Sequence, residues 1–321
     1  MFAEEKIKVA RLSIISNSIL TVGKLAVGLS MNSISVISEA IHSGLDLMAA
    51  LIAFASVRES NKPADDRHRY GHGKFENLAA IIEAILILLA AGLIVKEALP
   101  QLYEATEVKS LGLGVVVMGV SAAMNFFVST RLMKVAKKTD SPALAADAWH
   151  LRTDVLTSLG VLIGIVIMKF TGWLIVDPLI AIGVAILIVK AAYDLLRESL
   201  GSMLDVRLPD SDEQAIRDIL EGYASRYVDY RNLRTRKAGP QRYIDFNLIV
   251  PRGKKIITSH ELCDSIERDL RQHLPGVEVI IHVEPCVPEA GDCDICKIRL
   301  HYQGEGSSDT CAVCDKCRGK L

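Results

Sequence analysis

The sequence predicts an α-helical membrane protein, with six transmembrane helices followed by a small α+β domain. Three observations carry that expectation. The 321 residues are 50% hydrophobic but only 5% aromatic, so the apolar content is aliphatic, and mean hydropathy is positive at +0.29. Charge is nearly absent from several long windows in the first two thirds and dense after residue 200. That distribution excludes both a uniformly soluble globule and a disordered chain. A formal net charge of −1 leaves no basic excess to meet phosphates, which excludes bulk nucleic-acid binding.

A helix crossing a hydrocarbon core of ~30 Å needs ~20 mostly apolar residues. Windows 9–29, 34–56, 78–95, 113–132, 144–168 and 173–192 meet that requirement. The first lacks a small-residue cleavage site and carries Asn17 and Lys24, so it reads as a span and not a cleaved signal. The second is interrupted by His42 and Asp46. Lys6, Lys8 and Arg11 precede the first span. Arg58, Lys62, Arg67, Arg69 and Lys74 follow the second, and Arg131, Lys134, Lys137 and Lys138 follow the fourth. The loop between the first two windows has no Lys or Arg, and the fifth loop has only Lys169 at its edge. Positive residues stay on the cytoplasmic side, which predicts both termini there.

After Leu200 the pattern changes. Residues 211–224 read as an amphipathic helix opened by Pro209-Asp210-Ser211-Asp212. Segments 229–236 and 241–250 read as strands around Ala238-Gly239-Pro240, with Tyr243, Asp245 and Asn247 alternating against Ile244, Phe246 and Leu248. Residues 259–273 are helical, with Leu262, Ile266 and Leu270 on one face, and 277–283 is a third strand. The order α-β-β-α-β is that of a small sandwich of ferredoxin-like topology. The expected domains are 1–205 in the membrane, 206–286 as the cytoplasmic domain, and a Cys-rich tail over 287–321.

The second and fifth spans each contain His-x-x-x-Asp: His42 with Asp46, and His150 with Asp154. Positions i and i+4 share a helix face. Two such faces meeting supply two nitrogens and two oxygens, the four-ligand tetrahedral set that suits Zn²⁺. Ionisable groups at membrane depth cost at least ~2.5–3.5 kcal/mol each on insertion scales, so four matched groups need a compensating partner, and a divalent cation is one. An interhelical His–Asp hydrogen bond would be the purely structural alternative. Asp147 and Arg152 read as snorkelling residues, and Glu83 and Asn17 as satisfied helix–helix polar contacts or, in the alternative, the lining of a water path.

The chain resembles the cation diffusion facilitator family of divalent metal transporters. The resemblance rests on the two His-x-x-x-Asp pairs and on the run from Lys62 to Lys74, which contains Asp65, His68, Tyr70, Gly71 and His72. It also rests on Ser202-Met203-Leu204-Asp205, Leu233-Arg234-Thr235-Arg236, and Ile280-Ile281-His282-Val283-Glu284-Pro285. It implies a homodimer in a prokaryotic inner membrane that exports metal in exchange for protons, with His42, Asp46, His150 and Asp154 as transport ligands. It further implies a loop metal site at Asp65, His68 and His72, and an interlocking charge pair between Lys74 and Asp205. A regulatory site in the metallochaperone-like cytoplasmic domain would use His260, His282 and Glu284. There Arg231 and Asn247 replace histidines of the best-endowed relatives, leaving Asp245 or Cys286 as substitutes. The His at position 42 resembles the more zinc-selective members and argues against manganese.

The resemblance does not reach the tail. Cys293-x-x-Cys296 and Cys311-x-x-Cys314-x-x-Cys317 have zinc-ribbon-like spacing, and the reducing cytoplasm disfavours disulfides. Cys263 reads as a small core residue. Competing functions are a broad divalent or Fe²⁺ exporter and a membrane-anchored metal sensor that moves nothing. An enzyme is not expected: a zinc hydrolase keeps an open ligand position and often a His-Glu-x-x-His motif, and that motif is absent.

Overall fold

The computed structural model describes residues 2–30, 34–102, 113–171, 175–251 and 254–286. It divides into two compact units, Met1–Leu204 and Asp205–Leu321, against an expected boundary after residue 205. The tail with Cys293, Cys296, Cys311, Cys314 and Cys317 lies outside the described residues.

Among the described residues the first unit holds six long helices, α1 (Phe2–Ser30), α2 (Ile34–Ser60), α3 (Lys74–Gln101), α4 (Leu113–Thr139), α5 (Pro142–Thr171) and α6 (Val176–Met203). Over the described residues, four stretches are long and apolar enough to cross a membrane: Ala3–Ser30, Ala40–Ser60, Lys74–Pro100 and Pro178–Met203. The helices outrun the hydrophobic windows; α6, for example, ends at Met203, not at residue 192. Backbone hydrogen bonding continues past the apolar stretch wherever polar side chains can stand in water, and hydropathy does not register that extension.

Small residues govern the packing. Ala80, Ala84, Ile87 and Ala91 form one stripe of α3 and share a buried cluster with Ala146 of α5 and with Ile188, Ala192 and Leu195 of α6. Such faces let helix backbones approach closely, as membrane interfaces require. Between α5 and α6, a Cβ added at Gly160 would stand 3.0 Å from Val184 Cγ2, which is why a glycine occupies that position. A second cluster joins Ala10, Val57, Ala79, Leu132, Ala136, Leu144 and Leu151 across α1 to α5.

One end of this unit is held by a buried polar knot. Lys6 Nζ of α1 donates to Glu76 Oε1 of α3 at 2.7 Å, with the two side chains 4% and 0% exposed. Ser60 of α2 donates to the same oxygen, and Ser141 donates to Oε2. Ser141 also caps α5, its hydroxyl accepting the Leu144 N–H at 3.4 Å, with Pro142 at the first helical position, where its missing N–H costs nothing. Asp140, at φ 52°, makes the left-handed turn from α4.

The second unit contains α7 (Asp210–Gly222), β1 (Asp229–Ala238), β2 (Gln241–Val250), α8 (Ile256–His273) and β3 (Val277–Pro285). The sheet order is β1-β2-β3, with β1–β2 antiparallel and β2–β3 parallel. Gly239 at φ 59° closes the hairpin. A bulge between Arg231 and Arg234, with Asn232 at φ 55°, kinks β1. The core is Ile216, Leu220, Ile244, Phe246, Leu248, Leu262, Ile266 and Leu270 with Cys263, so the three expected apolar positions of β2 face inward. Tyr243, expected on the polar face, is 5% exposed; the guanidinium of Arg236 lies 4.4 Å from its ring centroid and covers it. A ferredoxin-like sheet would place another strand between two parallel partners. Among the described residues the β2-α8-β3 crossover joins direct neighbours.

Candidate metal centre

The i,i+4 spacing turns one imidazole and one carboxylate of α2 and of α5 toward each other. His150 Nε2 lies 3.1 Å from Asp46 Oδ1. His42 Nε2 lies 3.9 Å from Asp46 Oδ1 and 3.9 Å from Asp154 Oδ1. Ligand atoms of His42, Asp46 and Asp154 all fall within 4.8 Å of one another, so a single ion could touch all three, and His150 adjoins them through Asp46. Asp46 is 4% exposed and His150 8%. Asn125 of α4 donates to Asp154 Oδ2 at 3.3 Å, which orients that carboxylate. Lys24 of α1 donates to Ser43 at 2.8 Å, one residue from His42.

A second cluster occupies the loop between α2 and α3. Asp65 Oδ1 accepts the backbone N–H of Arg67 at 2.9 Å and of His68 at 2.6 Å. These donors, that of His68 foremost, hold the Asp65 carboxyl below its ordinary value. His68 Nδ1 and His72 Nε2 each stand 3.3 Å from an Asp65 oxygen. The two imidazole centroids are 4.6 Å apart, and His72 stacks on Phe75. Gly71 at φ 78° makes the turn that brings His72 back to Asp65. Lys74 donates to the Met203 carbonyl within the first unit. Asp205 accepts from Arg236 within the second.

In the cytoplasmic-type domain the candidate ligands are not gathered in one chain. His282 and Glu284 share a face of β3, 3.7 Å apart, and Asn247 Nδ2 donates to Glu284 at 2.5 Å. His260, on α8, stands 3.8 Å from Asp264. Among the described residues, threefold clusters of such donors occur only at His42 and at Asp65. Asp245 pairs with Arg234 at 3.7 Å. Cys263 is buried, as a core residue should be.

Two expectations about polar residues are corrected. Asp147 does not snorkel: it is 1% exposed, because its face of α5 turns into the bundle. Glu83 is not a satisfied helix–helix contact, since neither of its oxygens has a hydrogen-bond partner among the described residues. The Lys6–Glu76 bridge was also missed by the sequence reading. The seven-residue spacing of Glu76 and Glu83, which repeats one face of a helix otherwise apolar there, marks Glu76 as interior without naming its partner.

Long aliphatic helices bring His42, Asp46 and Asp154 within 4.8 Å of one another, with His150 beside Asp46. Residues 10–204 match the cation efflux transmembrane domain, and residues 208–286 match the cytoplasmic domain of cation efflux proteins. The chain therefore belongs to the cation efflux, or cation diffusion facilitator, family of integral membrane transporters, and it is not an enzyme. It is 33% identical over 261 residues to the cation-efflux pump FieF of Salmonella typhimurium, spanning 81% of this chain and 86% of that one. To an uncharacterized transporter of Synechocystis sp. it is 34% identical over 272 residues, spanning 84% and 88%. Among solved structures, CzrB in its zinc form is 38% identical and covers 25% of this chain and 90% of its own, with a TM-score of 0.24.

Proposed function

We propose that the protein exports divalent metal, Zn²⁺ above all, from the cytoplasm in exchange for protons. The observation that carries this is the meeting of His42, Asp46 and Asp154 within 4.8 Å, with His150 3.1 Å from Asp46. Two imidazoles and two carboxylates suit a small tetrahedral ion of borderline softness, which favours Zn²⁺ over Mn²⁺. These ligands bind metal only with the imidazoles neutral and the carboxylates ionised, so metal and protons compete for one site. Exposing that site alternately to the neutral cytoplasm and to a more acidic exterior then loads metal on one side and protons on the other.

In this reading all six helices of the first unit span a prokaryotic inner membrane, and both termini are cytoplasmic. The protein works as a homodimer through its cytoplasmic domain, with Lys74 and Asp205 interlocking the protomers. Asp65, His68 and His72 hold a second metal ion in the loop. His260, His282 and Glu284 contribute to a site completed across the dimer, and the tail cysteines bind a further ion.

The test is transport in proteoliposomes with Zn²⁺, Cd²⁺, Fe²⁺ and Mn²⁺ in parallel and a pH dye inside. Zinc flux accompanied by opposite proton flux is expected, and Asp154→Ala should reduce both to the protein-free level while the dimer persists. Wild-type zinc flux in that variant would refute the assignment.

A further inference from the structure

We propose that Asp147 and Glu83, with Ser13, form a second cation site that holds a divalent metal ion in transit to the paired His/Asp site; the proposal rests on that site being the transport centre. Both carboxylates are fully interior, Glu83 at 0% and Asp147 at 1% exposure. All four of their oxygens lack hydrogen-bond partners among the described residues. Asp147 is the charge within electrostatic reach of Glu83, across the packed α3–α5 interface, and Asp147 is in turn within reach of His150 and Asp46. Ser13 of α1, itself 0% exposed, approaches Asp147 without closing to hydrogen-bond geometry, and its hydroxyl is also unpartnered. Three oxygen-bearing side chains on three helices are thus interior and unsatisfied, and Ala80 and Ala84 beside Glu83 share one buried cluster with Ala146 beside Asp147. A structural clamp would close those bonds, because unmade hydrogen bonds inside a protein are costly.

Their depth follows from the helix rise. Glu83 lies seven positions beyond Glu76, Ser13 seven beyond Lys6, and Asp147 six beyond Ser141. Glu76, Lys6 and Ser141 are joined in one knot, and α1, α3 and α5 all run away from it. At ~1.5 Å per residue the three groups therefore share a level ~9–10 Å above the knot. His150 and Asp154 lie three and seven positions farther along α5, about 4.5 and 10 Å deeper by the same rise. The acidic level stands between the knotted end and the His/Asp centre. On α1 the Ser16 hydroxyl and the Asn17 amide nitrogen, both unsatisfied among the described residues, follow Ser13 on the same face, continuing the polar lining in the direction of that centre.

The donor chemistry fits transit, not storage. Two carboxylates balance a divalent charge. An all-oxygen set with one hydroxyl leaves the ion part of its water and holds Zn²⁺ less firmly than a site with two imidazoles. Ala80, three positions before Glu83 on the same face of α3, and Ala146 beside Asp147 are both fully buried small residues.

The experiment uses the full-length protein in proteoliposomes with Zn²⁺ as the only metal, and follows zinc–zinc exchange at equal pH on both sides. Glu83→Gln, Asp147→Asn and the double variant should each slow exchange at least tenfold, while the zinc ion that is lost in Asp154→Ala stays bound at equilibrium. Asp147→Glu, which keeps the charge, should recover at least a third of the wild-type rate; recovery of none would mark Asp147 as a packing residue and overturn the proposal. Should the double variant not yield a dimer, the single variants and Asp147→Glu give the same decision. Exchange within twofold of wild type would overturn the site. So would slowed net transport with unimpaired exchange, because that pattern belongs to a proton relay. If Asp154→Ala itself still transports, the transport-centre reading fails separately.

Discussion

Replacing Glu76 with Ala should be among the most damaging single changes in the helical unit. The carboxylate is 0% exposed and holds Lys6, 3% exposed, at 2.7 Å. Its removal leaves an ammonium buried without a counter-charge, a change that typically costs ~3–5 kcal/mol. Ser60 and Ser141 lose their acceptor too. Ser60 can fall back on the Val57 carbonyl at 3.1 Å, so its contribution is small. Ser141 stands at the α4–α5 turn, and its hydroxyl adds ~1 kcal/mol if it finds no new partner. A loss of about 4 kcal/mol is a large share of a total stability of ~5–15 kcal/mol. The assay is denaturant unfolding of the purified protein in mixed micelles, as a cycle with Lys6→Met and the double variant Lys6→Met/Glu76→Ala. Removing both charges should restore at least half of the loss, since a buried pair replaced by apolar groups is close to neutral. A Glu76→Ala loss below ~1 kcal/mol, the value of an exposed ion pair, would refute the reasoning, and so would a double variant as unstable as the single.

His42→Asp should relax discrimination against Cd²⁺ and Mn²⁺ in a competition flux assay, because it exchanges a borderline imidazole for a hard oxygen; unchanged preference would place selectivity in the helix packing. In the second unit the Tyr223 hydroxyl donates to Asp269 at 2.6 Å, which raises the phenol above its ordinary 10.0. A raised folded value means the bond's stabilisation is fully present below pH 10.0 and is lost as pH climbs through the folded value. Tyr223→Phe should therefore cost ~1 kcal/mol at neutral pH and remove a late-titrating component from the ultraviolet phenolate titration. Truncation after Pro288 should leave zinc flux intact and lower the zinc bound per chain; lost flux with an intact dimer would make the tail part of metal delivery.

Much of this molecule was legible in the sequence because its signals are periodic. An i,i+4 pair cannot avoid one helix face, so His42 with Asp46 and His150 with Asp154 announced where α2 and α5 would meet. The alternation in β2 and the 3–4 spacing of Leu262, Ile266 and Leu270 announced the second core in the same way. Less legible were residues whose role depends on another helix. Asp147 near the start of α5 has the composition of a snorkelling residue, and only the packing of neighbouring helices against α5, α3 among them, decides that it is interior. Glu76 and Lys6 are separated by 70 positions, a distance across which no local pattern can pair them. Tyr243 lies on the polar side of an alternating strand, and it is a guanidinium, not the core, that removes it from water.

The alanine seam between α3 and α6 has a mechanical consequence. Helices joined by interdigitating Leu or Phe side chains are geared: shifting one past the other forces several rotamers to change at once, and the interface resists until it yields as a unit. Ala80, Ala84, Ala91 and Ala192 have no rotamers to change, so only Ile87, Ile188 and Leu195 gear the buried cluster, and axial displacement there disturbs few side chains. The knot at Lys6 and Glu76 is the opposite kind of joint, pinned by charge at one point. The knot ties α1, α2, α3 and the α4–α5 turn and, among the described residues, holds nothing of α6, so α6 rests on α3 through packing along that seam.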